Sequence, residues 1–261
     1  MQLATRNLKL LFIHGWATDS RIWKYQLEEF SNDYEVIAID LPGHGSNDKW
    51  SEPTLKSAVE KVLSTINPTS HIPHLTSCFI GIGWSLGGKV LLEIAANNPC
   101  FFKGIILIAS SPCFVAKDDF TAGQSRGIAK RMLKDLQNDF TGTIKRFYPL
   151  NFVQEEFAAE NAQWFVDYYD KKCAAFQHDS IINSLEALFS FDIREKLRDI
   201  KIPILIIQGN EDTVCPPEAS RYLAENFANA RLEIIEGSGH IPFLTRRKEF
   251  NKIVRGFIET L

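Results

Sequence analysis

Phe79-Ile80-Gly81-Ile82-Gly83-Trp84-Ser85-Leu86-Gly87-Gly88 decides how this chain is read. An apolar run ends in G-x-S-x-G and passes straight into a helical pattern at 86–97. A serine in that setting sits on a sharp strand-to-helix turn with strained backbone angles. Its flanking positions must be glycine for the chain to pass without clashes. The turn lifts the Ser85 hydroxyl clear of the sheet. It also leaves the next backbone N–H, that of Leu86, free to hold a developing oxyanion.

The chain carries its own control. Gly123-Gln124-Ser125-Arg126-Gly127 fits the same pattern, but Lys117-Asp118-Asp119-Phe120-Thr121-Ala122 before it is polar and mixed. No strand is expected there, and the segment reads as a loop entering a helix. Strand, turn and helix together make the motif specific; five letters alone do not.

Around this turn, apolar runs at 8–14, 34–40, 77–83, 104–110, 202–209 and 231–236 alternate with helical patterns at 20–30, 54–66, 86–97, 217–227 and 247–260. That alternation predicts an α/β fold with a mostly parallel sheet flanked by helices. Continuous runs such as Gly104-Ile105-Ile106-Leu107-Ile108-Ala109 suit strands buried on both faces. One interval, 113–198, offers no convincing strand. It holds aromatic-rich helical stretches at 126–138, 141–148, 155–169 and 180–188. It reads either as extra helices on the sheet or as a helical cap between core segments 1–112 and 199–261. The cap is preferred, because the interval falls beyond strand ends, where open α/β sheets bind ligands.

The bulk properties narrow the function classes. A chain of 261 residues with 45% hydrophobic and 23% charged residues suits a large α/β domain. A net charge of -3 points away from nucleic acid and membrane surfaces. No apolar run approaches the ~20 residues of a membrane span. The first seven residues lack a signal-peptide core. Five irregularly spaced cysteines argue against a disulfide framework. A cytoplasmic monomer without metal or cofactor is expected. His71-x-x-His74 has no supporting ligand cluster.

A serine hydroxyl needs a base, and the base needs an orienting acid. Ile204-Leu205-Ile206-Ile207-Gln208-Gly209-Asn210-Glu211-Asp212 runs a buried strand into an acidic loop. Leu232-Glu233-Ile234-Ile235-Glu236-Gly237-Ser238-Gly239-His240 ends the last strand in a glycine-rich turn and a histidine. Asp212 and His240 are the candidates, with Glu211 and Asp192 as rival acids. His14 and His44 lie in nearby loops and read as satisfying backbone groups. The second oxyanion donor belongs in the loop His14-Gly15-Trp16-Ala17, where the Trp16 N–H is placed and its indole would wall a pocket. The loop Asp40-Leu41-Pro42-Gly43-His44-Gly45-Ser46 reads as structural.

With Ser85, Asp212 and His240 in that order, and with His14-Gly15-Trp16 and Asp40-Leu41-Pro42-Gly43-His44-Gly45, the chain resembles the α/β-hydrolase superfamily over nearly its full length. It further resembles the pimeloyl-acyl-carrier protein methyl ester esterases, carboxylesterases of biotin synthesis. That likeness rests on 11–16, 83–88, Ala109-Ser110-Ser111-Pro112-Cys113-Phe114, Asp139-Phe140 with Arg146-Phe147, and His240-Ile241-Pro242-Phe243. It implies a Ser85 nucleophile with Asp212 and His240 as partners, and Trp16 and Leu86 as oxyanion donors and substrate contacts. It also implies an acyl channel along Phe147, Tyr148, Pro149, Leu150 and Asn151.

Charge bears on the carrier independently. Between Cys113 and Leu150 seven basic residues face four acidic ones, a net +3 in a negative chain. Arg126, Lys130 and Lys134 recur every four residues on one helix face, and Arg146 follows. Such a stripe suits an acidic acyl-carrier protein, or is simply a solvated face. The next segment, with Glu155, Glu156, Glu160, Asp167 and Asp170, is expected to be an acidic surface turned away from that partner. Two other readings stay open. One is a generalist short-chain carboxylesterase acting on small-molecule esters, or a carbon–carbon bond hydrolase. The other is a silent hydrolase-fold binding protein.

Overall fold

The central apolar runs become strands that are buried on both faces between helices. The computed structural model describes residues 8–45, 48–66 and 78–261. Its strands are β1 (Lys9–Ile13), β2 (Glu35–Ile39), β3 (Phe79–Trp84), β4 (Phe102–Ile108), β5 (Ile204–Gly209) and β6 (Ala230–Ile235). They form one sheet of order β2-β1-β3-β4-β5-β6, and every pairing is parallel. All six residues of β3 and of β5 are buried, whereas the edge strands β2 and β6 are partly exposed. The strand expected to open at Ser77 begins outside the described residues. His71 and His74 also lie outside them.

Chain direction across the sheet explains where a site forms. β1 connects outward to β2, and the chain then returns to lay β3 on the opposite side of β1. Loops leaving β1 and β3 therefore diverge, opening a crevice at the carboxyl edge. In register, Ile13 lies beside Gly83, so the loop after His14 and the turn at Ser85 are neighbours.

The helices follow their sequence patterns closely. A 3₁₀ turn Ser20–Trp23 leads into α1 (Lys24–Phe30), followed by α2 (Lys56–Ile66) and α3 (Leu86–Asn97). Between β4 and β5 come α4 (Arg126–Asn138), α5 (Phe140–Phe147), α6 (Glu160–Lys172) and α7 (His178–Ser190). The last are α8 (Pro217–Asn226), the short α9 (Pro242–Thr245) and α10 (Arg247–Ile258). Asp139 starts α5 by accepting from the Gly142 N–H at 2.9 Å, which satisfies an otherwise orphaned donor.

One expected helix is broken. The stretch 155–169 splits into a 3₁₀ turn, Gln154–Ala158, and α6, because Ala159 is extended (φ −73°, ψ 134°). The turn is pinned by Glu156, whose carboxylate bonds back to the Val153 N–H at 3.1 Å.

Helices α4 to α7 share one hydrophobic core with the sheet. Tyr148, Phe165 and Tyr169 pack together, with ring centroids 4.9–5.7 Å apart. Polar anchors tie this layer to the loop after β1. The Tyr148 hydroxyl donates to Ala17 O at 2.9 Å, the Trp16 indole donates to Ile181 O at 3.0 Å, and Lys172 pairs with buried Asp19. No helix among the described residues is long and apolar enough to cross a membrane.

Candidate active site

Ser85 holds φ 52° and ψ −111° between β3 and α3, a strained backbone for a residue with a side chain. Two features hold it there. Its N–H donates to Ile108 O at 2.8 Å, and its carbonyl accepts from Ser110 Oγ at 3.0 Å. The glycine at Gly87 reflects close approach: a Cβ there would lie 2.2 Å from Ile13 O. The Ser85 side chain makes no capping bond to α3. Its hydroxyl is therefore not consumed in holding the helix.

The histidine arrives from the loop after β6. His240 is 1% exposed, and its Nδ1–H donates to Asp212 Oδ2 at 2.7 Å. The main chain fixes the ring's base. The His240 N–H donates to Asn151 O, and its carbonyl accepts from the Trp84 indole, both at 2.9 Å. Trp84 thus joins the turn carrying Ser85 to the turn carrying His240.

Asp212 is saturated. Its Oδ1 accepts from the N–H groups of Val214 and Cys215 at 2.8 and 2.9 Å, while Oδ2 also accepts from Gln208 Nε2 at 2.9 Å. Buried carboxylates cost heavily unless they are hydrogen-bonded in this way. The rivals are occupied elsewhere or exposed. Asp192 pairs with Lys117 and Arg194 at 2.7 and 2.8 Å, and Glu211 faces solvent. Gln208 was not foreseen. Its signal was visible in retrospect as the only polar residue in Ile204-Leu205-Ile206-Ile207-Gln208.

Ser85 and His240 face one cavity with Trp16, Trp84, Phe114, Met132, Phe147, Asn151, Leu185, Leu188 and Val214. No hydrogen bond joins the serine hydroxyl to the imidazole, the loose arrangement common in substrate-free enzymes. The free space amounts to about 20 Å³, too little for a chain-like ligand without movement of the lining. Of that lining, Met132 is an unbranched side chain that repacks readily, while Phe147 meets Trp16 edge-on at 5.3 Å.

Of the expected channel stretch, Phe147 and Asn151 line the cavity. Tyr148, Pro149 and Leu150 do not. Tyr148 is buried among Phe165 and Tyr169, and Leu150 is 57% exposed. Phe147, the last residue of α5, and Asn151, four residues on, share one face of the continuing helical winding, and the residues between them are turned away from it.

Trp16 lines the cavity, and its loop is rigid. His14 Nδ1–H donates to Gly15 O at 2.8 Å, and its Nε2 accepts from the Leu41 N–H at 2.9 Å. Burial drives His14 down to about 4 and His44 to about 3, so both stay neutral near pH 7. They shape loops, as expected. Leu86 opens α3, where N–H groups have no partner within the helix. Beneath the turn, burial lowers Lys89 to about 8, and its Nζ donates to Ser111 O at 2.6 Å.

The basic stripe divides. Arg126 bonds Asp118 at 2.9 Å and Arg146 bonds Asp139 at 3.1 Å, while Lys130 and Lys134 are exposed without an ion pair among the described residues. Arg126 and Lys130 border a groove against α7, not the Ser85 cavity. Glu156 departs from the expected acidic surface: it is 4% exposed and turned inward. Its neighbours Glu155, Glu160 and Asp167 are exposed.

Comparison with known proteins identifies the family. Residues 10–253 match the model of the alpha/beta hydrolase family. The chain belongs to the alpha/beta hydrolase family. Within it, the chain is 31% identical to a pimeloyl-acyl-carrier protein methyl ester esterase of Wigglesworthia glossinidia brevipalpis, over 98% of this chain and 96% of that protein. A protein of the same name from Nitrosomonas europaea is 28% identical over 92% of each. Among solved structures, an esterase from Exiguobacterium antarcticum superposes with a TM-score of 0.85 at 23% identity, covering 98% of this chain and 93% of that one. A bromoperoxidase from Bacillus anthracis gives 0.86 at 21% identity, covering 97% and 92%. These two share the fold.

Proposed function

We propose that the chain is a serine carboxylesterase that removes the methyl ester from a pimeloyl chain carried on acyl-carrier protein. Ser85 is the nucleophile, His240 the general base and Asp212 the acid that orients it. Ser85 Oγ attacks the ester carbonyl as His240 Nε2 takes its proton. The N–H groups of Trp16 and Leu86 receive the oxyanion. Methanol leaves with the proton from His240, and water then releases the acyl chain from Ser85 by the same base. One observation carries the reading: a buried imidazole–carboxylate bond of 2.7 Å beside a serine held at φ 52° in the same cavity.

Helices α4 to α7 act as a cap, 113–198, over a core of 1–112 and 199–261. The cap supplies Met132, Phe147, Leu185 and Leu188 to an apolar wall suited to a methylene chain. Relatives named for a carrier-bound ester support the substrate class. Lys130 and Lys134, exposed and without an ion pair among the described residues, are the cations best placed to steer an acidic carrier.

The test offers the protein a methyl-pimeloyl carrier and a small free methyl ester, and follows demethylation by mass. Faster loss of methanol from the carrier is the expected result, with a fluorophosphonate labelling Ser85. Equal rates would leave a generalist esterase; an unlabelled Ser85 would end the esterase reading. Neutralising Arg126, Lys130 and Lys134 together should slow carrier turnover about tenfold or more while sparing the free ester. Parallel losses on both substrates would refute the docking role.

A further inference from the structure

A buried carboxylate outside the Ser85–Asp212–His240 set grips the turn that carries the base. Glu156 is 4% exposed and has no cationic partner among the described residues. All its bonds are to neutral donors. Oε2 accepts from the N–H groups of Gly239 and Val153, each at 3.1 Å, and Oε1 accepts from Ser238 Oγ at 2.9 Å and Thr245 Oγ1 at 2.5 Å. Three of these four donors bracket His240, two residues before it to five after it.

A lone buried carboxylate is costly, and a surface position would have avoided the cost. Its placement is tied to the shape of the turn. A Cβ on Gly239 would stand 2.7 Å from Asn151 O and 3.2 Å from Glu156 Oε2, so that residue is pressed directly on the cap. The next residue, His240, donates its N–H to the same Asn151 carbonyl. Asp212 fixes the ring through Nδ1, and the 151–156 stretch fixes the backbone from which the ring projects.

We propose that Glu156 is a positioning residue for His240, reaching from the α4–α7 layer to set where Nε2 meets the serine. This rests on the reading of His240 as the base. Through Glu156, the seating of the cap and the placement of the base become one event. A misplacement of about 1 Å at a reacting group costs on the order of a hundredfold in rate. Glu156→Ala is therefore expected to lower kcat about tenfold to a hundredfold with little change in KM. Glu156→Gln is expected to stay within about threefold of wild type. Its amide oxygen can still accept from both main-chain donors while the Ser238 and Thr245 hydroxyls turn to accept from its NH₂ group.

The experiment measures kcat, KM, melting temperature and the downfield proton resonance of His240 Nδ1 for wild type and both variants. A kcat loss in folded Glu156→Ala, with a shifted His240 resonance and rescue by Glu156→Gln, supports the proposal. A lowered melting temperature with wild-type kcat and an unmoved resonance overturns it, since that outcome marks a purely structural carboxylate. Should Glu156→Ala fail to fold, Ser238→Ala carries the test by removing one donor while keeping the carboxylate. A reduced kcat at constant KM supports the proposal, and an unchanged kcat overturns it. Fluorophosphonate labelling of wild-type Ser85 comes first, so that a failure of the esterase reading shows before any variant is read.

Discussion

Residues 83–87 and 123–127 spell the same G-x-S-x-G and fold in opposite ways. Ser85 follows a buried strand, sits at φ 52° and leaves its hydroxyl out of helix capping. Ser125 follows a loop, sits at φ −62° and ψ 143°, and caps α4 through a bond from the Ile128 N–H to its Oγ at 3.2 Å. Both serines begin a helix. One is spent on the helix, while the other is held against its backbone preference by neighbours that leave its oxygen facing a cavity. The difference lies in the strand before the motif and in what packs against its glycines.

The largest expected contrast is kinetic. Ser85→Ala should remove ester hydrolysis by on the order of 10⁶ in kcat with the fold intact, whereas Ser125→Ala should leave kcat unchanged. Steady-state rates on one ester decide it, and a comparable loss from both variants would break the comparison. Next in size are the fourth-following glycines. At Gly87 a new Cβ would stand 2.2 Å from Ile13 O, so Gly87→Ala should destabilise by about 3 kcal/mol or more in denaturant titration. Ser125→Ala, losing a helix cap, should cost about 1 kcal/mol. Smallest, and opposite in sign, is Gly127→Ala. The nearest atom to its Cβ would be Ser125 Oγ at 3.9 Å, so better helix propensity should stabilise by roughly 0.5–1 kcal/mol. A stabilising Gly87→Ala, or a strongly destabilising Gly127→Ala, would show that packing does not separate the two motifs.

Much of the site was legible because its parts sit at strand ends. An apolar run followed by glycine and a functional side chain marks a carboxyl edge, and Ser85, Asp212, His240 and Trp16 all follow that rule. The stretch 147–151 was only half legible. Read as one lining, it divides in the fold: Phe147 and Asn151, four apart on one helical face, reach the cavity, while Tyr148 enters the core. Glu156 is not legible from its local sequence. Beside Glu155, in a segment rich in acids, it looks like solvated surface. Its burial depends on Ser238 and Gly239, more than eighty residues away, and no local pattern reports such partners.

The order of the strands' apolar runs, the glycines around Ser85 and the candidate serine, acid and histidine are written in the chain itself. Hydrophobic periodicity and backbone sterics are local properties that survive in one dimension. The sheet order, the packing of Met132, Phe147, Leu185 and Leu188 beside Ser85 and His240, and the grip of Asn151 and Glu156 on the histidine turn belong to the folded molecule alone. They arise where distant segments compete for the same buried donors, and such competition is settled only when the chain is packed.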